Sequence, residues 1–181
     1  DHHNFSSVGG VSLGDRPGDF NTPNFISLDP PEHDGQRMAV TGVVAPTNLA
    51  ALETVIRERA AKILDGLPVG ETFNWVDKVS IELTTQMLAA IFDFPFEERR
   101  KLTYWSDLAT STVATGGSMP EESRREGLME CLEVFTQLKR ERESRDPAKH
   151  NDLVTMMAHS PATKDMDPME YLGNLILLIV G

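Results

Sequence analysis

Apolar residues return every three or four positions along most of this chain, the spacing that gathers them on one face of a helix. Leu49, Leu52, Val55, Ile56, Ala60, Ile63 and Leu64 keep that period, with Thr47 placed to cap the helix they predict. After a turn at Gly66–Gly70, Val79, Leu83, Met87, Leu88 and Ile91 repeat it over roughly 77–92. Further helices are expected over about 32–44, 95–109, 120–145 and 152–159, with a last one opening at Asp167-Pro168. The longest of them carries Leu128, Cys131, Leu132, Phe135 and Leu138 on one face. Phe73–Val76 reads as a short extended piece. Two stretches keep no period: residues 1–27, punctuated by Gly9, Gly10, Gly14 and Gly18, and the run around Gly116-Gly117. The expected class is mainly α with little strand, in one incomplete domain over residues 1–181.

Charge narrows the function classes. With 28 acidic against 17 basic residues, the net charge of −11 offers no basic stripe for nucleic acid. The one basic run, KRERESR at Lys139–Arg145, interleaves Glu141 and Glu143 and reads as a solvated helix end. A single cysteine excludes an internal disulfide framework and fits a reducing compartment. The most apolar run, Leu175–Gly181, is far short of the ~20 residues a membrane span needs. The chain opens without Met and closes inside that run, so it is expected to be a fragment.

Few residues are arranged for chemistry. His150 and His159 lack partners at ligand spacing, and no phosphate loop or nucleophile elbow occurs. Cys131 lies on an apolar stripe, where a thiol behaves as a small hydrophobe. LDPPEHDGQR, residues 28–37, is different. It sets His33 and Arg37 one helical turn apart, a fork of donors suited to carboxylates. The spacing leaves open the simpler reading, a local pairing of Arg37 with Glu32 or Asp34.

That stretch resembles the Asp-Pro-Pro-Glu-His-x-x-x-Arg motif opening the C helix of bacterial cytochromes P450. APTNLAALETVIRERAAKILDGL is similar to the D helix that follows, and HNDLVTMMAHS and MDPMEYLGNLILLIVG to the H helix and the first half of the I helix. The resemblance implies a partial P450 fold from the C helix into the I helix. Residues 1–27 become the B–C loop region, 32–44 the C helix, 110–119 the F–G loop and 168–181 the start of the I helix. HHNFSSVGGVSLGD, FISLDPPEHDGQR and LGNLILLIVG most resemble the soluble alkane and fatty-acid terminal hydroxylases.

By that resemblance the cofactor is haem b, with His33 and Arg37 on its propionates and Gly181 beside it. Leu177 and Val180 line the substrate pocket, and Val11 and Leu13 touch substrate from the B–C loop. The implied reaction inserts an oxygen atom from O2 at the terminal carbon of medium-chain alkanes or fatty acids. Its electrons come from ferredoxin and an NADH-dependent ferredoxin reductase in the cytoplasm, without nucleic acid or membrane insertion. The axial cysteine motif and the oxygen-activating acid–alcohol pair have no counterpart here, so no catalytic residue and no iron ligand is assigned. A steroid or sterol side-chain hydroxylase shares the same C-helix motif. A helical interaction module, with His33 and Arg37 pairing locally, is the reading from another class.

Overall fold

The computed structural model describes residues 3–10, 20, 22–111 and 119–181. Seven α-helices carry the described chain: α1 (Glu32–Thr41), α2 (Pro46–Asp65), α3 (Glu82–Phe92), α4 (Arg100–Thr110), α5 (Glu121–Arg142), α6 (Leu153–His159) and α7 (Pro168–Val180). Short 3-10 turns at Phe25–Ser27 and Phe96–Glu98 precede α1 and α4.

No strand occurs among the described residues. The extended piece expected at Phe73–Val76 does not form, because Val76 starts a π-helical segment, Val76–Ile81, that continues into α3. The Asn74 side chain accepts from the backbone N–H of Asp77 at 3.2 Å, a cap that commits the next residues to helix. Thr47 is not a cap either. Pro46 is the first residue of α2, where its fixed φ and missing N–H cost nothing, and Ala45 stands at the cap position.

The core lies between α3, α4, α5, α6 and α7. Phe135 on α5 stands amid Phe92 (ring centroids 5.4 Å apart), Phe94 (5.5 Å) and Trp105 (5.9 Å). All four rings are buried. At Gly127 the α5 backbone meets α4, where an added Cβ would lie 2.2 Å from a methyl of Leu108. Cys131 is fully buried on this same face, and burial pushes its thiol well up from the ordinary range. The α2 stripe departs from the core expected for it. None of its residues is buried, Leu52, Val55, Ile56 and Ile63 are half-covered, and Leu49 and Leu64 are exposed.

The expected solvated helix end at KRERESR keeps Arg140, Glu141, Glu143 and Ser144 exposed, but its other cations form a structural clamp. Arg142 is 6% exposed and donates to the Asp93 carbonyl at 2.9 Å, while Arg145 donates to the Asp93 carboxylate at 2.6 Å. Asp93 follows α3 in the left-handed region, φ 48°, which aims both of its oxygen groups toward the end of α5. Lys139 likewise donates to the Lys164 carbonyl at 2.5 Å and lies over the Tyr171 ring. No single helix among the described residues is long and apolar enough to cross a membrane.

Glu82 ties α3 to α4. Burial pushes its carboxyl up, but hydrogen bonds from Gln86, Arg99 and Arg100 together outweigh that and hold it below the usual carboxylate value. A lowered folded value stabilises the fold above the unfolded carboxylate range and loses that contribution as pH falls through it. Glu82→Gln is therefore expected to cost about 1–3 kcal/mol at neutral pH. The difference from wild type in urea unfolding should shrink toward zero as the buffer is taken below the carboxylate range.

Candidate functional site

Local chemistry fixes the approach to α1. Asp29 accepts from the Ser6 hydroxyl at 2.5 Å and from the Ser7 N–H at 2.9 Å, folding residues 6–7 against the motif. Pro30 and Pro31, joined by a cis bond, then deliver the chain to Glu32. Glu32 and Asp34 sit in the first turn, where the helix dipole favours carboxylates. Gln36, Val40 and Val43 turn inward and are buried, which leaves His33 and Arg37 on the neighbouring, more open face.

The two donors are in different states. The His33 side chain is 26% exposed, and its Nδ1 lies 2.9 Å from an Asp34 carboxylate oxygen. Its ring tilts against Phe25 with centroids 6.2 Å apart, and Nε2 has no hydrogen-bond partner among the described residues. Arg37 is exposed, and its guanidinium makes no hydrogen bond or ion pair among the described residues. The local pairing with Glu32 or Asp34 is thus not formed. Asp34 is engaged by His33 instead, in a chain where acidic residues outnumber basic ones.

Alongside α1, the other candidate element is α7, whose last turns carry Leu177, half-buried, then Val180 at 44% exposure and Gly181, also exposed. The two elements are linked by groups that sequence reasoning did not single out. Asn174, 1% exposed, accepts from the Phe25 N–H at 2.9 Å and donates to Gln36 Oε1 at 3.1 Å. Gln36 in turn donates to the Glu170 carboxylate at 2.5 Å. A signal for Asn174 did exist, since it is the one amide within the apolar run LGNLILLIV. Gln36 gave none beyond lying between His33 and Arg37. One turn back from Leu177, Gly173 lets the chain before α1 cross α7 at backbone distance.

Val11 and Leu13 lie outside the described residues, as do 112–118 of the expected F–G loop. The described residues contain no group of three or more His, Cys, Asp or Glu able to hold a metal ion. The donor set on α1 nevertheless fits haem. An unpaired guanidinium and a free imidazole nitrogen, one turn apart, match two carboxylates on one edge of an apolar disc. The aliphatic end of α7 offers the apolar surface such a disc requires.

No family model matches the chain. Among solved structures it is similar to cytochrome P450-153 from Novosphingobium aromaticivorans, with a TM-score of 0.83 and 43% identity, covering 97% of this chain and 44% of that one. CYP153D17 from Sphingomonas sp. PAMC 26605 gives a TM-score of 0.79 and 44% identity with the same coverage. Among curated proteins, cytochrome P450 119 of Sulfolobus acidocaldarius is 27% identical over 156 residues, 86% of this chain and 38% of that relative. A steroid C26-monooxygenase of Mycolicibacterium smegmatis is 27% identical over 132 residues, 73% of this chain and 30% of that relative. The chain thus spans well under half the length of the proteins it matches. Likeness of this degree in both fold and sequence, running through 97% of the residues, makes the chain a member of the cytochrome P450 family.

Proposed function

We propose that the protein to which these residues belong is a haem-thiolate monooxygenase that hydroxylates medium-chain alkanes or fatty acids at the terminal carbon. The observation that carries this reading is the unpaired Arg37 guanidinium one turn from His33, in a chain 43% identical to a cytochrome P450-153. Bound haem b supplies the oxygen chemistry, inserting one atom of O2 into an unactivated C–H bond. His33 and Arg37 hold its two propionates by charge-assisted hydrogen bonds and offset their charge. Gly181 leaves room beside the macrocycle, and Leu177 and Val180 form an aliphatic wall against the substrate. Ferredoxin and its NADH-dependent reductase deliver the electrons, in the cytoplasm.

Two charge-assisted bonds from α1 contribute about 1.5–3 kcal/mol each to haem binding. Arg37→Ala in the full-length protein is therefore expected to weaken haem affinity by roughly ten- to a hundredfold. The check is haem recovered per mole of protein, from the absorbance of the reduced, CO-bound form. Recovery equal to wild type after dilution and gel filtration overturns the propionate assignment.

A steroid side chain is the second substrate reading, favoured by the likeness to the steroid C26-monooxygenase. Both classes offer an aliphatic end to the Leu177–Val180 wall. Titrating the full-length enzyme with octane, dodecanoate and cholest-4-en-3-one separates them. The primary reading expects a haem difference spectrum with the linear compounds at lower concentration, and the reverse order overturns it.

A further inference from the structure

The amides of Asn174 and Gln36 are both buried, at 1% and 7% exposure, and each uses its oxygen and its nitrogen. The Phe25 N–H donates to Asn174, Asn174 to Gln36, and Gln36 to Glu170, so the bonds form one continuous directional line. Apolar side chains would join α1 to α7 at least as strongly, but dispersion is non-directional and tolerates sliding of one helix on another. A bonded amide pair permits one register, because slippage would orphan buried polar groups. Two members of the line meet the neighbourhood of the donor pair. Gln36 directly precedes Arg37, and Phe25, whose N–H is held by Asn174, carries the ring that packs on His33.

We propose that Asn174 and Gln36 are positioning residues that lock α1 in register with α7 and so aim His33 and Arg37 at the propionates. This rests on the haem reading given above. The test uses the full-length holoenzyme with Asn174→Leu, Gln36→Met and Arg37→Ala, singly and combined. Gln36→Met removes the Asn174 and Glu170 bonds while keeping a flexible chain of similar length, so a fold-disrupting Asn174→Leu does not leave the question open.

Two readouts are taken: the rate of haem transfer to excess apomyoglobin, and amide exchange across residues 33–41. Each clamp variant is expected to raise haem loss about tenfold and to speed exchange in α1. In the Arg37→Ala background the same change adds only about threefold, because the share of the clamp that acts through Arg37 is already lost and the share through His33 remains. A purely structural role would multiply the two effects in full, and that outcome, or unchanged haem loss in Gln36→Met, overturns the clamp. Unchanged haem loss in Arg37→Ala alone overturns the haem reading instead.

Discussion

Gly173→Ala is expected to destabilise the full-length protein by at least about 2 kcal/mol, against the trend for its residue type. In an open helix the same change stabilises by about 1 kcal/mol, since alanine is the better helix former. Here a Cβ would lie 2.0 Å from the Pro23 carbonyl oxygen and 2.6 Å from that of Thr22. Both obstacles are backbone, so no rotamer change relieves them. Nor can that segment back away freely, because the Phe25 N–H is bonded to Asn174 on the next residue of α7. The clash therefore outweighs the propensity gain. Urea denaturation followed by circular dichroism provides the check. A variant that melts later than wild type would show that the segment before α1 does not cross α7 at Gly173.

Phe135→Ala carries the other large effect, a loss of about 3–5 kcal/mol. Its ring is fully buried and is the shared neighbour of Phe92, Phe94 and Trp105. Truncation removes the buried apolar surface and leaves a void that three rigid rings, two at the end of α3 and one on α4, collapse into poorly. The Phe135 carbonyl also accepts from the Tyr171 hydroxyl at 3.4 Å, so movement of α5 would disturb α7 as well. Because domains are stable by only about 5–15 kcal/mol, such a loss should leave a measurable unfolded fraction. Val69→Ala, at a side chain 97% exposed, is the control and should stay within about 0.5 kcal/mol of wild type. Equal midpoints for the two variants would refute the aromatic core.

Helix positions were legible because period and punctuation are local. α5 occupies Glu121–Arg142 within the expected 120–145, and α6 and α7 start after Asp152 and Asp167, whose side chains cap them. The errors are those of competing local signals or of missing partners. Phe73–Val76 has strand-forming residue types, but a cap one residue inside it wins. The α2 stripe has helical spacing, yet spacing says only that a face exists and not what covers it. Arg142 belongs to a charged run, and its burial depends on Asp93, 49 residues away.

For the site, the sequence by itself determined that His33 and Arg37 share a helix face, since 3.6 residues per turn makes that unavoidable once α1 forms. Its resemblance to a known motif supplied the carboxylates they would meet. The sequence alone did not decide between a local pair and an open one. The fold decides it, because Asp34 turns to His33 and leaves Arg37 unpaired. Nor did it find the line from Phe25 through Asn174 and Gln36 to Glu170. Those partners are separated by 149, 138 and 134 residues, and periodicity carries no information about which distant faces meet. Local physics set which residues α1 could present; long-range packing on α6 and hydrogen bonds to α7 fixed where it presents them.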